Sequence, residues 1–312
     1  MVGLCLPARG ADWWQFQAEP THSGANLAER YSLPPVLRYV APLDDRGGET
    51  VFTSSSAVVA GDTLYVGSTG GAVVAVGRRT GVERWRVQTD GPIRGAPALA
   101  ADRLIVASMD GVVRALNPLT GVEHWRVALG SPLAAPLTAA VINGEARVYI
   151  AATDGAVSCL KAADGVVVWG RNLGGQAYGA PTVNAAGTRV YVGAYDQHVS
   201  AFDAVDGTLR WTSEPSQLAL GSVRATVAVL GTRVYVPTLA HGLAALNDGG
   251  TYVQYPWNQP LTGSLTGSSA VVPTSGLASA TIYVVDDAGR LLAIEDRVTD
   301  ELGTVIRTQV PR

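Results

Sequence analysis

Four tryptophans, Trp85, Trp125, Trp169 and Trp211, recur at steps of 40, 44 and 42 residues. Each follows by four residues the glycine of a turn pair: Thr80-Gly81, Thr120-Gly121, Asp164-Gly165 and Asp206-Gly207. A fixed period of this size means an array of similar supersecondary units, each burying its apolar faces only against its neighbours. The shared residues are packing and turn residues. The repeat therefore describes a scaffold, and any chemistry must lie outside it.

Within one period the apolar pattern resolves into four short strands. An apolar segment such as Ala96 to Ala100 comes first. A second strand mixes β-branched and aromatic residues, as in Leu64-Tyr65-Val66-Gly67, Val148-Tyr149-Ile150-Ala151 and Val190-Tyr191-Val192-Gly193. Gly70-Gly71, Asp110-Gly111, Asp154-Gly155 and Asp196-Gln197 then supply residue types that tolerate the positive φ of a two-residue hairpin. A third strand, a second turn and the tryptophan-bearing fourth strand complete the unit. The fold class is therefore all-β, a β-propeller of four-stranded antiparallel blades.

First-strand candidates near Ala57, Ala98, Thr138, Val183, Val227 and Val271 give six blades, with seven, one of them incomplete, as the alternative. Two strands compete to close the ring, Val36 to Val40 and Thr304 to Val310, and the N-terminal one, carrying Tyr39, is preferred. The sixth unit also has an insertion, Arg297 to Leu302, where its turn pair belongs. Residues 1–33 read as an N-terminal extension and residues 34–312 as a single propeller domain.

With 312 residues, 47% of them hydrophobic, the chain has length for a sizeable core. A net charge of -3 offers no basic stripe for phosphate backbones, so no nucleic-acid partner is expected. The richest apolar stretch, Leu133 to Ile142, is broken by Pro136 and is too short to span a bilayer. Val2 to Ala8 do not read as a complete secretory signal, which leaves the remnant of one or a plain terminus. The two cysteines do not form a disulfide framework, and Cys159 stands where other units have alanine, which makes it a small buried apolar residue.

From the third strand to the tryptophan the units follow Ala-x-Asp-x-x-Thr-Gly-x-x-x-Trp. Ala115, Asn117, Thr120, Gly121 and Trp125 fit it in one unit, and Ala201, Asp203, Asp206, Gly207 and Trp211 in another. Ala96-Pro97, Ala135-Pro136 and Ala180-Pro181 open successive first strands, and Trp14-Gln15-Phe16 precedes His22-Ser23-Gly24. In these residues the chain resembles the PQQ-like, quinoprotein-type β-propeller repeat family, including its BamB-like members, over roughly residues 34–310. The resemblance implies that Trp85, Trp125, Trp169 and Trp211 dock each blade on the next. Tyr39 is expected to do so at the seam and Tyr255 in the fifth unit, where tyrosine stands for tryptophan. A buried indole removes about 150–250 Å² from water.

The family's dehydrogenases bind PQQ with calcium beneath an adjacent cysteine pair. Such a pair is missing here and no Asp, Asn and Glu set matches their metal site, so neither PQQ, calcium nor another cofactor is expected. The four histidines, at 22, 124, 198 and 241, lack metal-ligand spacing. The recurrent Asp110, Asp154, Asp196 and Asp287 are explained by turn geometry alone. Ser158-Cys159-Leu160-Lys161 formally fits Ser-x-x-Lys, but on a strand residues three apart point to opposite faces.

Arg94, Tyr178 and Arg224 fall where a fourth strand crosses to the next first strand, and Tyr195 and His241 fall at the second-to-third hairpin. In a propeller both loop sets share one face, so these five are expected to line a common ligand-binding pocket at the channel mouth. The functional expectation is a monomeric, non-catalytic propeller, extracellular or periplasmic, that binds or scaffolds a protein, peptide or glycan partner. A small-molecule or quinone binder using the central channel is the alternative.

Overall fold

The computed structural model describes residues 55–214, 221–240, 242–261, 263–273, 279–297 and 306–309. Its strands form six four-stranded sheets, each antiparallel throughout and in simple meander order. The first holds β1 (Val58–Ala60), β2 (Thr63–Gly67), β3 (Ala72–Gly77) and β4 (Glu83–Gln88). The second holds β5 (Ala98–Ala100), β6 (Arg103–Ala107), β7 (Val112–Leu116) and β8 (Glu123–Ala128). The third holds β9 (Thr138–Ile142), β10 (Glu145–Ala151), β11 (Ala156–Lys161) and β12 (Val167–Asn172). The fourth holds β13 (Thr182–Val183), β14 (Arg189–Gly193), β15 (Val199–Asp203) and β16 (Leu209–Thr212). The fifth holds β17 (Ala228–Leu230), β18 (Arg233–Thr238), β19 (Gly242–Asp248) and β20 (Val253–Gln259). The sixth holds β21 (Ala270–Pro273), β22 (Ser279–Val285), β23 (Leu291–Arg297) and β24 (Ile306–Gln309).

The first strands β5, β9, β13, β17 and β21 lie side by side in that order, which makes them the inner strands of the propeller. The fourth strand of the sixth sheet is the C-terminal β24, the second of the two closing candidates. The strand near Tyr39, preferred for closure, lies outside the described residues. Among the described residues no helix is long and apolar enough to cross a membrane.

The core is a series of wedges between neighbouring sheets rather than one central mass. A separate buried cluster fills each junction from the first and second blades to the fifth and sixth. On the side facing the next blade, the first, third, fourth and fifth blades set a small residue of the third strand between a tyrosine of the second and the tryptophan of the fourth, and the second blade has Ile105 in the tyrosine's place. Ala75 pairs across with both Tyr65 and Trp85, Cys159 with Tyr149 and Trp169, and Ala201 with Tyr191 and Trp211. The rings lean together over it, with centroids 5.9, 5.8 and 5.9 Å apart. A larger side chain would meet both rings, which explains the alanine of the motif and the buried Cys159 that replaces it.

The glycine of the motif packs against the tryptophan of the preceding blade, not its own. Gly121 has φ +74°, and a Cβ there would lie 2.8 Å from the Trp85 ring. Gly165 stands in the same way against Trp125, and Gly207 against Trp169, at 2.7 and 2.6 Å. Positive φ and ring contact together require glycine.

The indole donor also reaches the next blade. Trp85 Nε1 donates to Pro118 O at 2.9 Å, Trp125 to Ala162 O at 3.1 Å and Trp169 to Ala204 O at 3.3 Å. At the last two junctions the acceptor is a carboxylate. Trp211 donates to Asp248 Oδ1 at 2.9 Å and Trp257 to Asp296 Oδ1 at 3.0 Å. The second-strand tyrosines share these acceptors, with Tyr191 on Asp248 Oδ2 at 2.6 Å and Tyr235 on Asp296 Oδ2 at 2.9 Å.

The fifth docking ring is thus Trp257 and not Tyr255. Trp257 pairs with Ala245, the small residue of that blade, across a register shift between Ala245 and Asn247. The other units place tryptophan 10 residues after the small residue, as from Ala115 to Trp125, and this one places it 12 after. The longer turn and the shift send Tyr255 to the other side, against the cluster holding Trp211, where its hydroxyl accepts Glu214 N at 2.6 Å.

Burial pushes the hydroxyls of Tyr65, Tyr149, Tyr191 and Tyr235 above the usual tyrosine value. It also raises the Cys159 thiol to about 12. A group whose folded-state pKa is raised contributes its full stability below the unfolded value and loses it as pH rises toward the folded one. The melting temperature should therefore hold up to about pH 8.5, fall as the unfolded Cys159 thiol ionises, and fall more steeply beyond about pH 10 as unfolded tyrosines ionise. A titration that also follows phenolate absorbance checks this. A flat melting temperature across the alkaline range would mean that the hydroxyls are not held as described.

Candidate functional site

The loops crossing from a fourth strand to the next first strand share one face with the second-to-third hairpins, and main-chain hydrogen bonds tie the two together. Met109 N donates to Pro92 O, Thr153 N to Pro132 O, Tyr195 N to Gln176 O, Leu239 N to Ser222 O and Asp287 N to Ser264 O, at 2.8–3.1 Å. The crossovers also touch each other near the axis. A Cβ at Gly95 would lie 2.2 Å from Ala135 O, and one at Gly179 2.6 Å from Ala225 O. Ala180 N donates to Thr226 Oγ1 at 2.8 Å and Thr226 N to Ser268 Oγ at 3.2 Å. These contacts join the described crossovers, those entering the second to sixth blades, into one continuous face.

One register position recurs along this face. Ile93, Leu133, Ala177, Val223 and Leu265 are each fully buried. The residues after them, Arg94, Ala134, Tyr178, Arg224 and Thr266, stand at the surface to differing degrees. Tyr178 and Arg224 are neighbours in this series, and the Arg224 guanidinium lies over the Tyr178 ring at 5.8 Å from its centroid. Tyr195, 43% exposed on its hairpin, meets Tyr178 edge-on at 6.1 Å. The Tyr178 hydroxyl donates to Gln176 Oε1 at 3.3 Å.

Of the five residues expected at the channel mouth, Tyr178, Tyr195 and Arg224 form one cluster. Arg94 is exposed at the same register on the second blade, outside that cluster. His241 lies outside the described residues. Gln176, which accepts the Tyr178 hydroxyl, escapes a sequence reading, whereas the sequence places Gln197 at its hairpin. Gln197 has φ +75° at the hairpin position where the first, second, third and sixth blades place glycine, which costs roughly 1–2 kcal/mol for a residue with a side chain. The crossover entering the fifth blade is longer than the others, with 17 residues from Trp211 to Ala228 against 13 from Trp85 to Ala98. Residues 215–220 of it lie outside the described residues.

The hairpin aspartates close their own turns. Asp110 Oδ1 accepts Val112 N at 2.9 Å, Asp154 Oδ1 accepts Ala156 N at 3.0 Å and Asp196 Oδ1 accepts His198 N at 3.2 Å. Asp110 also holds the buried Arg114 through Nη2 at 2.9 Å, and Asp90 of the preceding crossover meets the same nitrogen at 3.4 Å. Arg114 is therefore a bridge between the first two blades. On the opposite face a cavity of about 460 Å³ is lined by Gly61, Asp62, Arg78 and Arg79, with Arg79 ion-paired to Asp62 at 3.1 Å.

Six meander sheets, docked through tryptophans that reach the following blade, define a β-propeller of the PQQ-like repeat type. More particularly, the chain belongs to the family of the outer membrane protein assembly factor BamB, whose model matches residues 2–142 and 109–309. Its fold is similar to the crystal structure of BamB from Moraxella catarrhalis, with a TM-score of 0.63 and 20% identity, over 82% of this chain and 76% of that one. A comparison with curated proteins gives no match.

Proposed function

We propose that the chain is a non-catalytic docking propeller that presents its crossover face to a protein partner, in the periplasm or outside the cell. The cluster of Tyr178, Tyr195 and Arg224 carries this reading. Tyrosine and arginine dominate the energetics of protein interfaces, because they offer large contact area and directed donors at modest entropic cost. Here they sit on loops already fixed by main-chain hydrogen bonds, so little ordering is left to be done on binding. The name of the matched family, an assembly factor of outer membrane proteins, supports a protein partner and an exported location. A peptide or glycan stacking on the tyrosines would use the same surface. The reading involves one copy of the chain and neither PQQ nor calcium.

A photoreactive phenylalanine analogue at Tyr195 is expected to give a crosslinked adduct with a protein of the native host. The same analogue at Leu119, on the opposite face and 76% exposed, is expected to give none. Adducts from Leu119 alone would move the docking surface. Retention of PQQ and calcium with a raised melting temperature would replace the reading with a quinoprotein one.

A further inference from the structure

Among the described residues most cations are neutralised internally. Arg79, Arg84, Arg86, Arg126, Lys161 and Arg210 pair with carboxylates at the surface. The more buried Arg114, Arg147, Arg189 and Arg233 lie within 4 Å of carboxylates too. Arg103 and Arg171 donate to main-chain carbonyls. Among the described residues Arg94 and Arg224 make no hydrogen bond and no ion pair, and they occupy the same register position on one face. Two exposed guanidinium groups that no carboxylate pairs, at one register position of one face, are open to an anion from outside.

We propose that the crossover face binds a polypeptide segment carrying isolated carboxylates, which Arg94 and Arg224 receive while Tyr178 and Tyr195 pack the residues between them. The proposal rests on the docking reading given above and adds the chemistry of the partner. A guanidinium is a planar fork that matches a carboxylate, and the Tyr178 ring lies 5.8 Å from the Arg224 guanidinium, which places the fork beside the aromatic pair. The surrounding hairpins decide against an extended polyanion. Asp110, Asp154 and Asp196 stand on the same face, so an anionic bilayer or a sulfated glycan would meet these carboxylates as well as the arginines. A segment whose acidic residues are spaced by neutral and aromatic ones can set its carboxylates at the arginines and its neutral residues at the aspartates, the exposed Asp90 included.

The probe is a pair of labelled synthetic peptides, one with glutamates spaced by glycine and tyrosine, the other with each glutamate replaced by glutamine. They are titrated against the wild type and the Arg94→Gln/Arg224→Gln double variant. Both arginines are exposed, so the variant should keep the wild-type melting temperature. The glutamate peptide is expected to bind the wild type about tenfold more tightly than the variant, and less tightly as salt is added. The glutamine peptide should bind both proteins as weakly as the glutamate peptide binds the variant. Equal binding of the two peptides, or an unchanged preference in the variant, would overturn the proposal. So would a heparin fragment or phosphatidylserine vesicles binding in an arginine-dependent way where the glutamate peptide does not. A Tyr195 adduct that persists undiminished in the double variant removes the charge chemistry but leaves the docking face. An absent adduct in the wild type removes the docking face itself.

Discussion

Replacing Trp169 by alanine is expected to lower the stability of the propeller by about 3–5 kcal/mol, read as a fall in the urea midpoint. Trp169 is 5% exposed and is enclosed from both blades it joins. Tyr149 and Phe202 lie 5.8 and 6.2 Å away by ring centroids, and Gly207 of the next blade stands flush against the indole. Truncation leaves a void that neither sheet can close, since each is held in register by its own ladder. It also strips the Ala204 carbonyl of the indole donor, while the Tyr149 hydroxyl keeps its bond there at 2.9 Å. Trp125 is only partly buried, and its alanine variant should lose less. A Trp169→Ala midpoint equal to that of the wild type would show that the junction is not held by the ring.

Replacing Asp296 by alanine should cost about as much, by a different route. Its carboxylate is fully buried and receives Trp257 Nε1, the Tyr235 hydroxyl and, at 3.1 Å, the Arg233 guanidinium. Alanine leaves that cation and two donors without partners, and breaking a buried pair from one side costs about 3–5 kcal/mol. Asp296→Asn keeps one acceptor oxygen and should lose clearly less. Thermal melts of the two variants decide the matter, and an alanine variant no worse than the asparagine one would sink the assignment. The first three junctions offer no comparable target, because Pro118, Ala162 and Ala204 accept through main-chain oxygens that no substitution removes.

The period of the tryptophans was enough to reveal the blades, because a residue that must fill a gap between rigid sheets cannot drift in position. The same logic fails where the turn changes length. In the fifth unit two extra residues move the ring from the expected place, and Tyr255, 10 residues after Ala245, stands at that place instead of Trp257. Counting from the small residue forward did carry a signal. Asp248 and Asp296 stand three residues after Ala245 and Ala293, as Pro118 stands after Ala115, and a recurrent acid at a buried position announces a donor. At the channel mouth, loop position sufficed to group Tyr178, Tyr195 and Arg224, since propeller topology alone sends crossovers and hairpins to one end. What sequence could not supply was orientation. That Arg224 lies over Tyr178 while Arg94 stands apart depends on which neighbours the ring sets beside each other.

The glycine that receives the previous tryptophan gives the array a polarity with a historical consequence. Each of the second to fourth units carries its own ring for the blade ahead and a seat for the ring behind. A duplicated unit of that kind can enter between any two of its relatives with both joints already made, so such an array can lengthen by simple gene duplication. The fifth unit cannot be copied so freely. Its seat is an aspartate that must be answered by both a tryptophan and a tyrosine from behind, and its own ring asks for an aspartate ahead. Growth of the array is therefore open among the early blades and closed near its end.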